Sequence, residues 1–217
     1  VLAESLRELG GQFLQVSSDY VFEGNVAKAY KTNDKRNPIN IYGKTKYLSE
    51  QYIQSLLIPY DQGTIIRTSW LISSQGYNFV LKLLDLQEKG NSIRIVDDQI
   101  SSPTSASYLA ATCWNIVKKK SDGDKIPSIF HCSNSGIASW YDLAEAVTQI
   151  GLEMGIISNP AKIIPIKSNE FSSKADRPPF SALDCSDSLS FLSQSPIHWR
   201  KELEKLLLDK SRMMSAG

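Results

Sequence analysis

Short apolar runs alternate along this chain with longer stretches in which apolar positions recur every three or four residues. The run Q-F-L-Q-V-S at 12–17 follows two glycines and predicts a strand. G-T-I-I-R-T-S-W at 63–70, I-R-I-V at 93–96, S-I-F-H-C-S at 128–133 and K-I-I-P-I at 162–166 predict four more. Helical spacing fills the gaps. A-E-S-L-R-E-L-G-G at 3–11 reads as the tail of a helix with a glycine stop. A helix runs from Asn40 to near Pro59. Asn78 stands in a cap position before F-V-L-K-L-L-D-L-Q-E-K, which Gly90 stops. Thr104 to Lys120 is helical, with Leu109, Cys113, Ile116 and Val117 at core spacing. Ser139 and Asp142 form a capping-box pattern ahead of W-Y-D-L-A-E-A-V-T-Q-I, which Gly151 ends. A final helix spans 198–209, and the polar stretches 24–38 and 168–187 read as loops.

Strands that alternate with helices predict an α/β fold with a largely parallel sheet. Such sheets bind ligands at the carboxyl ends of their strands. Two of the predicted strands end in polar groups there: Ser17, Ser18 and Asp19 on one, Thr68, Ser69 and Trp70 on the other.

Composition narrows the function classes. The 217 residues, 41% apolar and 22% charged, suffice for one large or two small globular units. A net charge of +1 provides no broad field for nucleic acid or a membrane surface. Lys118, Lys119 and Lys120 read as a solvated helix end. No apolar run approaches the roughly 20 residues of a membrane span, and no signal peptide is visible. Cys113, Cys132 and Cys185 form no C-x-x-C pair and are odd in number, which fits a reducing cytoplasm without a disulfide framework. No metal site is read: Asp97-Asp98 fits a strand-end turn, His131 a satisfied core histidine, His198 a packing or capping residue, and Cys132 a small buried one. The first residue is Val, which predicts a chain incomplete at its N-terminus.

The sharpest chemical signal is Tyr42-Gly43-Lys44-Thr45-Lys46. Residues four apart share a helix face, so Tyr42 and Lys46 are neighbours. A phenol with a pKa of about 10 is a slow acid or base at neutral pH. A nearby ammonium favours the phenolate, and moving such a group to about 7 takes roughly 4 kcal/mol. Y-x-x-x-K alone is common. Ser18 strengthens it, because a hydroxyl at a strand end can donate to a carbonyl that a tyrosine protonates.

V-S-S-D-Y-V-F-E-G at 16–24 followed by P-I-N-I-Y-G-K-T-K at 38–46 resembles the extended short-chain dehydrogenase/reductases, and among them the dTDP-4-dehydrorhamnose reductases. The likeness continues through R-T-S-W at 67–70, N-F-V at 78–80, V-D-D-Q at 96–99, S-P-T at 102–104, S-W-Y at 139–141, A-D-R-P at 175–178 and H-W-R at 198–200. It implies a partial Rossmann-type parallel sheet with a smaller interleaved substrate-binding domain. On that division residues 1–76 and 103–134 belong to the NAD(P)-binding part, and 77–102 and most of 135–217 to the substrate-binding part. The implied activity is reduction of the 4-keto group of dTDP-4-dehydro-L-rhamnose by NADPH or NADH in the cytoplasm. Tyr42 would be the general acid, Lys46 would tune it and hold the nicotinamide ribose, and Ser18 would bind the keto oxygen. Asp19 and Trp70 would contact the sugar, with Asn78, Gln99 and Arg177 as further substrate contacts. Ser17, Arg67 and Thr68, together with Tyr42 and Lys46, would lie at the cofactor. The partner implied is a nucleotide sugar, with a homodimer left open.

Bland readings stand beside these. Trp70 and Trp140 also suit a core, and Arg177 before Pro178-Pro179 suits either a phosphate or a plain surface loop. The Ser18/Tyr42/Lys46 set does not by itself separate the reductase from a non-catalytic subunit of the methionine adenosyltransferase type, or from a sugar-nucleotide epimerase. One departure matters: no G-x-x-G-x-x-G loop is found in the sequence, so most pyrophosphate contacts are absent and the chain as given is expected to be inactive.

Overall fold

The computed structural model describes residues 1–173 and 175–215. Residues 174, 216 and 217, which the predicted loop and domain ranges include, lie outside them. In chain order the elements are α1 (Leu2–Leu9), β1 (Phe13–Ser18), α2 (Ile41–Leu56), β2 (Gly63–Thr68), β3 (Leu71–Ile72), α3 (Phe79–Glu88), β4 (Ile93–Val96), β5 (Ile100–Ser101), β6 (Thr104–Ser105), α4 (Ala106–Ser121), β7 (Ile129–Cys132), β8 (Ala138–Ser139), α5 (Trp140–Glu153), β9 (Ile163–Ile166), α6 (Ser186–Leu192) and α7 (Trp199–Ser215). This is the expected α/β order, with parallel pairing in the main sheet.

That sheet runs β1-β2-β7, both pairs parallel. Side chains alternate across it, as the two-residue period of a strand requires. Phe13, Ile65 and Ile129 meet Ile53 and Leu57 near α2, with Ala3 and Leu6 of α1. Leu14, Val16, Ile66 and Phe130 turn the other way, onto Leu109 and Ile116 of α4 and Leu192 of α6. The register sets Ser18 beside Thr68 and Thr68 beside Cys132, so three strand ends form one lip. A second core gathers Leu83, Leu143, Val147, Leu203 and Leu207 from α3, α5 and α7 near the β4-β9 pair. Each such side chain, fully removed from water, contributes about 1.5–3 kcal/mol.

Four expectations need correction. Val117 was placed on the core face of α4 but is 43% exposed, because Leu109 and Ile116 already fill that face. Gly151 does not end α5, which continues to Glu153; a Cβ there would meet the Ile157 side chain at 2.6 Å, so this glycine permits close packing. The turn comes at Gly155, whose φ of 69° suits a residue without Cβ. The polar stretch 168–187 runs into a seven-residue helix, α6, whose few apolar positions carry little periodic signal. Finally, the last helix extends to Ser215, past the predicted 209.

Candidate active site

The lip of the sheet is where the predicted residues converge. Ser18 closes β1, and Asp19–Val21 makes a single 3-10 turn whose Tyr20 N–H donates to Ser18 Oγ at 3.2 Å. Asn40 caps α2, its side-chain oxygen accepting from Gly43 N at 2.7 Å. Its amide nitrogen donates to Asp176 O at 2.8 Å, which pins the 175–177 segment to the start of the helix. The first turn of α2 then lies directly on the 3-10 turn. A Cβ at Gly43 would stand 2.2 Å from Tyr20 O. Only glycine allows that approach, and it brings Tyr42 against Tyr20, edge to face, with ring centroids 5.9 Å apart.

Lys46 Nζ donates to Val16 O at 3.2 Å and lies 5.8 Å from the Tyr42 ring centroid. Strand end and helix face are thereby joined through a lysine that retains further N–H donors. Tyr42 is 52% exposed, so a ligand at the lip can reach it. Gly43→Ala is expected to push α2 off the turn, and an overpacking cost of about 1–3 kcal/mol should exceed any gain in helix propensity. A lowered midpoint in thermal unfolding would show it; an unchanged or raised one would contradict the close-packing account.

Asp19 does not lie open to a ligand. It is 2% exposed, and its carboxylate accepts from Ser18 Oγ at 2.9 Å, Ser181 Oγ at 2.6 Å and Ser101 Oγ at 3.3 Å. Burial pushes its carboxyl up to about 6, against the pull of those hydroxyls. A carboxyl raised in the fold adds stability that is full below its unfolded value and is lost as pH rises through about 6. Two pKa units correspond to about 3 kcal/mol. Relative to Asp19→Asn, the wild type should therefore lose about that much between pH 4 and 7 in urea titrations. A pH-independent difference would refute it.

Ser17 and Arg67, expected at the cofactor, turn elsewhere. Ser17 Oγ donates to Glu50 Oε1 at 2.6 Å. Arg67, 1% exposed, gives Nε and Nη2 to the two oxygens of Glu50 at 2.9 and 2.8 Å. Its Nη1 reaches Thr32 O at 2.9 Å and His131 Nε2 at 3.2 Å. All three guanidinium nitrogens are thus engaged inside the protein. Glu50 causes this: it follows Lys46 by four on the inward face of α2, and a buried carboxylate needs a cation. Burial raises its carboxyl, but Arg67, with Ser17 and Arg36, outweighs that and holds it low. His131 is buried and neutral, driven down to about 3 by burial and then by Arg67, with Nδ1 facing Asp184 O at 3.2 Å. Thr68 is different. Its Oγ1 is buried at a strand end paired with Ser18 and has no hydrogen-bond partner among the described residues. Cys132, next along the lip, is a buried thiol pushed by burial to about 12.

The predicted substrate residues divide. Asn78 caps α3 through Oδ1, which accepts from Val80 N and Leu81 N, and its Nδ2 donates to Ser73 O and Gln75 O. Its amide is thereby engaged with backbone groups on both its oxygen and its nitrogen. Gln99 and Arg177 line a cleft of roughly 320 Å³, together with Phe79, Lys82, Arg94 and Trp140. Trp70 holds the left-handed backbone at φ 40°, which is strained for a bulky residue. Its ring stacks on Trp140 at 3.6 Å and 10°. Trp140 in turn meets Phe79 at 4.7 Å. This aromatic wall links the lip to the cleft. Trp140, which the sequence left open between core and site, lines the cleft; Phe79 and Glu50 were not expected, and the inward i, i+4 run of Lys46 and Glu50 was the legible signal for the last. Among the described residues no group of three or more His, Cys, Asp or Glu is placed to hold a metal. No helix among them is long and apolar enough to cross a membrane.

Comparison with known proteins bears on this geometry. The model of the RmlD substrate binding domain family matches residues 1–212. This chain belongs to that family. The RmlD-family chain is 38% identical to the spore coat polysaccharide biosynthesis protein SpsK of Bacillus subtilis, over 96% of its own length and 68% of that protein's. It is 35% identical to a dTDP-4-dehydrorhamnose reductase of Sinorhizobium fredii, over 85% of its length and 61% of that one. The crystal structure of the dTDP-4-dehydrorhamnose reductase of Bacillus anthracis in complex with NADP superposes with a TM-score of 0.84 at 28% identity, covering 96% of this RmlD-family chain and 69% of that one. The chain thus spans about two thirds of the length of these relatives.

Proposed function

We propose that the protein reduces the 4-keto group of a dTDP-linked 6-deoxysugar, dTDP-4-dehydro-L-rhamnose, with NADPH or NADH. The observation that carries this is the closure of α2 onto the β1 lip, with Gly43 against Tyr20 O and Lys46 on Val16 O, which gathers Ser18, Tyr42 and Lys46. The names of the relatives supply the substrate class.

The residues fit the nicotinamide half of a dinucleotide. Thr68 Oγ1 is a buried polar atom awaiting a partner, and Lys46, held at Val16 O on β1, retains N–H donors for a ribose. The pyrophosphate half has no glycine-rich loop in this sequence to hold it. A reduced nicotinamide, when bound, supplies the hydride. The protein's own part is to hold the carbonyl by the Ser18 hydroxyl, give its oxygen a proton from Tyr42, and keep the positive charge of Lys46 beside the phenol. The cleft suits the nucleotide: Trp140 and Phe79 offer ring faces, and Lys82 and Arg177 offer cations for a diphosphate. In this reading residues 1–76 and 103–134 serve the cofactor and 77–102 with most of the remainder the substrate.

The test is the product of the complete reading frame, supplied with NADPH and dTDP-4-dehydro-L-rhamnose, with absorbance followed at the nicotinamide band. Turnover is expected; its absence overturns the reading, and retained cofactor without net oxidation would indicate an epimerase. Arg177→Ala should raise KM about tenfold or more, the worth of a charge-assisted hydrogen bond, with kcat little changed. An unchanged KM would remove Arg177 from the site.

A further inference from the structure

Asp19 has no free face for a sugar, and the way its two oxygens are occupied points to another task. Oδ1 is met by Ser18 Oγ; Oδ2 is met by both Ser101 Oγ and Ser181 Oγ. Ser101 lies in β5, and Ser181 donates its backbone N–H to Ile100 O, so one carboxyl ties the β1 lip to two segments from elsewhere in the chain. The division is uneven, and the unevenness matters for Ser18.

A hydroxyl has one proton and two acceptor positions. Ser18 Oγ accepts from Tyr20 N and gives its proton to Asp19 Oδ1. In that state it has no proton for a carbonyl. A neutral Asp19 with its proton on Oδ1 reverses the bond. Ser18 Oγ then accepts from both Tyr20 N–H and Asp19 O–H, and its own proton points to the lip. Oδ2 still accepts from Ser101 and Ser181. No heavy atom has to move, and only the Ser18 O–H is released, toward the lip.

We propose that Asp19 is a positioning residue that sets the direction of the Ser18 hydroxyl: ionised, it holds the serine proton; neutral, it turns that proton toward the reacting carbonyl. The carbonyl part rests on the reductase reading; the hydroxyl switch does not. The surroundings suit a group that changes charge near neutral pH. Ser18, Ser101 and Ser181 face the carboxyl from β1, β5 and the segment after Phe180, and all are uncharged. Tyr20 of the adjoining turn is coupled to it, its phenol pushed up by burial and then by the Asp19 charge. α2 brings Tyr42, not an ion, against Tyr20. Arg177 acts on Tyr20, and among the described residues no ion pair includes Asp19. Burial accordingly dominates and lifts the carboxyl to about 6.

Two measurements test this. The chain labelled with 13C at aspartate carboxyls should show Asp19 titrating near 6, with a midpoint that moves in Ser18→Ala. A midpoint near the ordinary carboxylate value, or one that Ser18→Ala leaves in place, overturns the switch. In the product of the complete reading frame, kcat for the keto sugar should fall about tenfold per pH unit above that midpoint. Asp19→Asn should abolish that fall, since its amide can donate to Ser18 while its oxygen accepts from Ser101 and Ser181. An Asp19→Asn profile with the wild-type fall overturns the proposal. The expected titration with no turnover in either protein supports the switch and overturns the reductase reading.

Discussion

Glu50→Ala is expected to lower the unfolding free energy by about 3–5 kcal/mol, the cost of breaking a buried ion pair by removing one partner. The Glu50 side chain is fully buried and receives four groups: Ser17 Oγ, Arg67 Nε, Arg67 Nη2 and Arg36 Nη1. Alanine would leave the Arg67 guanidinium in the interior with only Thr32 O and His131 Nε2 as neutral acceptors. His131 offers no compensation, because protonating it would set a second cation beside Arg67 and remove the Nε2 acceptor. Glu50→Gln keeps the shape and part of the hydrogen bonding but not the charge, so its loss should be intermediate. Urea denaturation measures both. A loss under about 1 kcal/mol for Glu50→Ala would mean that water or a rearranged Arg36 replaces the carboxylate, and that the network is not a structural anchor.

The same network shows what could be read in advance and what could not. The alternation of strands and helices was legible because each element carries a local period, and caps such as Asn78 and the Ser139–Asp142 box sit next to what they cap. Tyr42 and Lys46 were legible for the same reason, four apart on one helix. The pairing of Arg67 was not legible, because its position at a strand end is a local fact, whereas its partner Glu50 comes from 17 residues away on another element. The pairing of Asp19 is hidden in the same way. Its hydroxyl partners are one, 82 and 162 residues distant, and only the fold brings them to a single carboxyl. The aromatic wall follows suit: Trp70 and Trp140 are stacked by the packing of α5, which no periodicity of either segment reports. Local chemistry was visible, while pairing that decides whether a polar group is available to a ligand was not.

On the proposed function, Tyr42→Phe in the product of the complete reading frame is expected to reduce kcat by about 10²–10⁴-fold with KM nearly unchanged, the contribution of one well-placed general acid. Three hydroxyls stand where α2 meets the end of β1: those of Ser18, Tyr20 and Tyr42. Ser18 shares its proton with Asp19, and Tyr20 is largely buried with its phenol pushed up by that burial, which makes it a poor donor at neutral pH. Tyr42 alone of the three is half exposed beside the Lys46 ammonium. Phenylalanine keeps the ring and its edge-to-face contact with Tyr20, so the fold and the cleft should persist and the loss should fall on the chemical step. Lys46→Met separates the two parts of the argument. It removes the charge and the bond to Val16 O but leaves the phenol, so it should slow turnover and raise the KM for NADPH as well. A Tyr42→Phe enzyme within tenfold of wild type would transfer the proton role to water or to Ser18 and would undo the assignment of α2 as the catalytic helix.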